Sequence, residues 1–106
     1  MDRNYNIPFH KISGKNGELF HLNNTPLFAR IKDNLSVAMH DRVEFTISDP
    51  NGNMLSQLGK IMDLFFLEST GTIVAQIERE PDKQMISLDV SQICKNNTVE
   101  NEFLTA

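Results

Sequence analysis

The stretch "DRVEFTISDPNGNMLSQLGKIMDL", residues 41–64, decides the fold. In its first half Val43, Phe45 and Ile47 alternate with Glu44, Thr46 and Ser48, the period of two expected of a strand with one buried face. Asp49, Pro50, Asn51 and Gly52 then supply turn chemistry: Pro50 presets φ, Asn51 tolerates unusual backbone angles, and Gly52 suits the left-handed position. A reversal there makes the flanking segments antiparallel neighbours. The second half is ambiguous in isolation. Leu55, Leu58, Met62 and Phe65 stand at helical spacing, whereas Gly59 and the run "IMDLFFL" favour an extended chain.

The segments on either side decide for strand over residues 60–67. Downstream, "STGT" is turn-like, and "TIVAQIER" alternates with Ile73, Ala75 and Ile77 on one face. "EPDK" makes a second Pro-initiated turn into "QMISLDV", where Ile86, Leu88 and Val90 are in phase. Upstream, "NIPFHKI", "GELFHLN" and "PLFARIK" read as three short strands separated by the turn segments "SGKNG" and "NNTP". Residues 33–41 read as a loop or a single helical turn. The expected fold is all-β: one domain over residues 1–93, a small barrel or barrel-like antiparallel meander of six to seven strands. Residues 94–106 form a polar tail, either frayed or a short C-terminal helix docked through Val99, Phe103 and Leu104.

Composition agrees with a folded domain. Of 106 residues 40% are hydrophobic and 23% charged, and no apolar run approaches the ~20 residues of a membrane span. The polar start "MDRNYNIPFHKIS" has no apolar signal core, and the single cysteine, Cys94, suits a reducing compartment, so a cytoplasmic location is expected. The net charge of −4 is unevenly spread. Residues 1–32 hold five basic and two acidic side chains, whereas residues 33–106 hold five basic and twelve acidic. That balance argues against a strong non-specific polyanion binder but leaves room for a positive face built from the first third of the chain.

The segments "GELFHLNN", "VAMHDRVEFTIS" and "NGNMLSQLGKI", within residues 17–61, resemble the later strands of cold-shock domains, RNA-binding domains of the OB type. Phe20 and His21 match the strand that carries base-stacking side chains in that family. His40, Asp41, Arg42, Val43, Glu44 and Phe45 match its Gly-Asp-x-Val-Glu-Phe strand, with His in place of Gly. Leu19 occupies one aromatic place, and the family's opening Lys-Gly-Phe-Gly-Phe motif is absent. The resemblance implies single-stranded RNA or DNA as the partner.

The residues point the same way. Tyr5, Phe9, His10, Phe20, His21 and Phe28 are interleaved with Lys11, Lys15, Arg30 and Lys32. Aromatic faces beside a positive groove are what single-strand binders use, at ~1–3 kcal/mol per stacked base. In "LFARIK", alternation sends Leu27, Ala29 and Ile31 to one side and Phe28, Arg30 and Lys32 to the other. The competing role for any of the seven Phe is core packing, worth ~1.5–3 kcal/mol each. The expected nucleic-acid-binding residues are Phe20, His21, Phe28, Arg30, Lys32, Lys11 and Lys15.

Other chemistries find little footing. His10, His21, His40 and Cys94 have no metal-ligand spacing, although His10 and His21 can meet across the first hairpin. No catalytic motif or cofactor fingerprint stands out, so neither an enzyme nor a cofactor is expected, and Cys94 reads as an inert, half-buried thiol. The Arg-x-x-x-Arg opening of a cyclic-dinucleotide-binding PilZ barrel is absent. The alternative to nucleic acid is a protein-interaction module. In "IMDLFFL", Ile61, Phe65 and Leu67 fall on one face and Met62, Leu64 and Phe66 on the other. A strand apolar on both faces suits a homodimer that buries Phe65 or Phe66.

Overall fold

The computed structural model describes residues 9–98, of which Phe9 only by its backbone. Tyr5 and the tail anchors Val99, Phe103 and Leu104 therefore lie outside the described residues, as does the expected C-terminal helix or frayed end beyond residue 98. Along the described chain come β1 (Phe9–Gly14), β2 (Gly17–Leu22), β3 (Thr25–Lys32), β4 (Leu35–Ala38), β5 (Arg42–Ser48), β6 (Met54–Leu67), β7 (Thr72–Arg79) and β8 (Met85–Asp89). A 3₁₀ turn (Val90–Gln92) and β9 (Ile93–Asn96) complete it. The strands form a four-stranded sheet, β1-β2-β3-β4, and a five-stranded sheet, β8-β7-β6-β5-β9. Every pairing is antiparallel.

The described residues are thus all-β, as expected, but they hold nine strands rather than six or seven and form no closed barrel. The two additional strands are β4 and β9. Residues 33–41 were expected as loop or helical turn, yet Leu35 and Val37 are buried while Ser36 is exposed, the alternation of a short strand. β9 begins at Ile93 and returns to pair with β5, so the sheet extends into the expected tail. Four residues are too few for periodicity to announce either one. On β9 the edge position leaves Cys94 exposed, not half-buried.

The turns follow local chemistry. The β5–β6 reversal is organised by Asp49, whose Oδ1 accepts from the backbone N–H of Asn51 (2.9 Å) and of Asn53 (2.8 Å), with Gly52 at φ +88°. The β2–β3 turn is the two-residue Asn23-Asn24 pair, at φ +53° and +66°. Two positive angles define the hairpin turn whose twist matches its strands, and Asn is among the few residues that tolerate them.

The core lies between the sheets. Leu19, Ala29 and Val37 face it from the four-stranded sheet, and Val43, Phe45, Ile61, Leu64, Ile73, Ala75, Ile77 and Leu88 from the five-stranded one. Val90 from the 3₁₀ turn and Ile93 from β9 belong to the same core. β3 packs across β6, β2 across β7, and β4 lies beside β9. Polar bonds pin the corners. Lys15 N donates to Gly71 O at 2.7 Å, and Asn96 Nδ2 donates to Ser36 O at 2.9 Å and to Asp41 Oδ2 at 2.8 Å.

β6 explains the run with two apolar faces. Its first part pairs with β5 and its last part with β7, and a bulge at Met62 separates Ile61 from Asp63 in the register. One extra residue resets the alternation. Ile61 and Leu64, three apart, both become core residues, and Phe66 packs against the same core. The expected grouping of Ile61 with Phe65 and Leu67 is corrected accordingly.

Candidate nucleic-acid interface

The site is set by register in the first three strands. The Asn23-Asn24 turn pairs Leu22 with Thr25 and His21 with Pro26. A bulge then leaves Leu27 over, so Phe20 pairs with Phe28, Leu19 with Ala29 and Glu18 with Arg30. Without it, Phe20 would lie opposite Leu27. Since Leu19 and Ala29 are fully buried, Phe20, Phe28, Glu18 and Arg30 belong to the opposite face of the sheet. Lys11, the β1 partner of Phe20, joins them.

On that face the rings of Phe20 and Phe28 stack, with centroids 4.5 Å apart and planes inclined by 12°. The Arg30 guanidinium carbon stands 5.2 Å from the centre of the Phe20 ring, within reach of a cation–π attraction. Phe20 is only 7% exposed, and Phe28 is half-buried. Phe20 is therefore the supporting ring and Phe28 the more accessible one. Glu18 sits among the cations: its carboxylate takes Arg30 Nη1 at 3.3 Å and Lys11 Nζ at 3.5 Å. These ion pairs are solvent-exposed, of a kind worth ~0–1 kcal/mol, so an incoming anion can displace the carboxylate.

The remaining expected residues lie around this centre. A second bulge leaves Ile31 over between Arg30 and Lys32. Lys32 and Lys15 line a shallow cleft at one end of the sheet, which Arg30 also lines. His21 pairs with His10 across the first hairpin, as anticipated; it is half-buried, and its Nε2 has no hydrogen-bond partner among the described residues. Among the described residues, no group of three or more His, Cys, Asp and Glu side chains is arranged to hold a metal ion, and no helix is long and apolar enough to cross a membrane. Phe65 and Phe66, adjacent on β6, take opposite sides. Phe66 packs against the core, and Phe65 lies half-buried on the outer face opposite Val74.

Glu18 and Asn16 were not singled out from sequence. Glu18 becomes visible only once the register is known, and the bulge at Leu27 hides that register: a regular two-residue hairpin would pair Glu18 with Ala29. Asn16 sits inside a recognised turn segment, and nothing in the sequence separates a turn-forming Asn from one that also lines a cleft. No family model, curated protein or solved structure matches the chain.

Proposed function

We propose that this protein is a non-catalytic, cytoplasmic domain that binds single-stranded nucleic acid on the outer face of the four-stranded sheet. The observation that carries this reading is the Phe20–Phe28 stack with Arg30 over it and Lys11 beside it, on the side of the sheet turned away from the core. A base stacks on the Phe28 ring, for which every base has a suitable face, and the cations meet the phosphates. The partial resemblance of residues 17–61 to cold-shock domains favours the same ligand class. The test is titration of a mixed single-stranded oligonucleotide at two salt concentrations. Binding that weakens with salt, and is lost in Phe28→Ala and Arg30→Ala, is the expected result. Absence of binding at low salt removes the proposal.

A second reading rests on a separate surface. On the outer face of β6 and β7, Phe65 lies opposite Val74, and Leu67 is 39% exposed. Neighbouring apolar side chains left partly exposed on one face support an interaction site, here a homodimer around Phe65. Sedimentation at high protein concentration decides it: a species of monomer mass rules the dimer out.

A further inference from the structure

At one end of the four-stranded sheet, the β1–β2 turn and the last residues of β3 enclose a shallow cleft of about 550 Å³. Lys15, Arg30 and Lys32 line it together with Glu18 and Asp33. Three cations thus outnumber two carboxylates there, in a protein whose net charge is −4. Glu18 is already engaged by Arg30 and Lys11. Asn16 also lines the cleft, and its amide nitrogen is buried without a hydrogen-bond partner among the described residues. A buried donor left unpaired is costly, and the group that relieves it is an acceptor.

The walls of the cleft are held in place. Lys15 N donates to Gly71 O at 2.7 Å, anchoring the turn to the opposite sheet. Gly17, at φ +127°, lies so close to β3 that an added Cβ would stand 2.1 Å from Arg30 O. The backbone bearing Lys15 and Asn16 is therefore fixed before any ligand arrives, which lowers the cost of ordering the site on binding.

We propose that this cleft is a phosphate-binding subsite, with Asn16 Nδ2 and the ammonium groups of Lys15 and Lys32 as donors. Its ligand is a backbone phosphate of the strand that crosses the sheet face, an identification that rests on the nucleic-acid reading. Arg30 connects the two places, since it lies over the Phe20 ring and also lines the cleft. A base on Phe28 and a phosphate in the cleft then belong to one continuous track.

The test has two arms. In the first, inorganic phosphate is titrated at constant ionic strength against a chloride control, with the backbone amide resonances of residues 16 and 17, which survive every substitution used, as the readout. Phosphate produces a saturable shift that chloride does not. Asn16→Asp abolishes it, Lys15→Ala weakens it about tenfold, as expected for one charge-assisted hydrogen bond, and Lys60→Ala, which removes an exposed cation from the other sheet, leaves it unchanged. In the second arm a single-stranded oligonucleotide is titrated across salt concentrations. Asn16→Asp lowers the slope of log affinity against log salt by about 0.7, the contribution of one phosphate on a single strand. Phosphate binding without oligonucleotide binding leaves the subsite standing for a small phosphorylated ligand and removes the nucleic-acid reading. Oligonucleotide binding with an unchanged slope and no response to phosphate overturns the subsite alone. Equal responses to phosphate and chloride also overturn it.

Discussion

His40 has φ +75° although it carries a side chain, and that side chain is exposed. An L-residue in the left-handed region costs roughly 1–2 kcal/mol, part of which glycine regains at the expense of a more flexible unfolded chain. His40→Gly is expected to raise stability by about 0.5–1 kcal/mol, read as a higher urea midpoint at constant slope. Gly17 and Gly52 separate the two reasons for requiring glycine. Both have positive φ, but a Cβ on Gly52 meets nothing within 4 Å, whereas one on Gly17 collides with Arg30 O. Gly52→Ala should therefore cost about 1 kcal/mol, and Gly17→Ala more than about 2 kcal/mol, because overpacking adds to strain. The turn role of Gly52 is legible in "DPNG", where four residues with turn preferences adjoin. His40 gives no such warning, since its angle is imposed by the corner where His40 N donates to Ile61 O at 2.7 Å.

β6 was legible as a strand, but its facing was not, for a definite reason. Alternation predicts faces only while the register is unbroken, and the bulge at Met62 costs one residue of phase. Leu64 is consequently 1% exposed, while Phe65 beside it is half-buried on the outer face. Leu64→Ala is expected to cost about 2–5 kcal/mol, and Phe65→Ala, which removes a half-buried ring, only about 1 kcal/mol. Equal losses in urea unfolding would place both side chains in the core and contradict the shifted phase. The same limit applies to β3, where alternation correctly put Phe28 and Arg30 on one face but could not show that Phe20 stacks on Phe28. A different constraint joins β5 to the β7–β8 turn. Arg42 Nε and Nη2 donate to the two carboxylate oxygens of Glu80, the latter at 3.2 Å. Hydrogen bonds from Arg42 hold Glu80 below its ordinary value of 4.5, burial opposes them, and the charges of Arg42 and Lys83 add to the lowering. Because the folded-state value is depressed, the pair stabilises above the ordinary carboxylate value, and this is lost as pH falls through the folded one. Wild type should exceed Glu80→Gln in urea midpoint near neutral pH, and the two should converge as pH falls through the lowered folded-state value. The pair is exposed, so the difference is small.

Folding sorts the uneven charge of the sequence into two layers. Residues 9–38, which hold the four-stranded sheet, carry four basic and two acidic side chains, whereas residues 42–96 carry five basic and eight acidic. This division was legible because each sheet is built from one unbroken run of the chain, β1–β4 and β5–β9; a fold that interleaved the two halves would have dispersed it. It also bounds the proposed interaction. Each phosphate neutralised on a single strand contributes about 0.7 to the slope of log affinity against log salt, so four cations permit a slope no steeper than about −2.8. Lys11 and Arg30 share Glu18, and if they stay so engaged only about two phosphates are met, for a slope near −1.4. Glu18→Gln removes that competitor while leaving a side chain of the same shape. It is expected to tighten oligonucleotide binding several-fold, up to about tenfold, and to steepen the slope towards −2.8. If Glu18→Gln instead weakens binding, the carboxylate is positioning Arg30 over the Phe20 ring rather than masking its charge. If affinity and slope both stay fixed, the strand does not cross this face of the sheet.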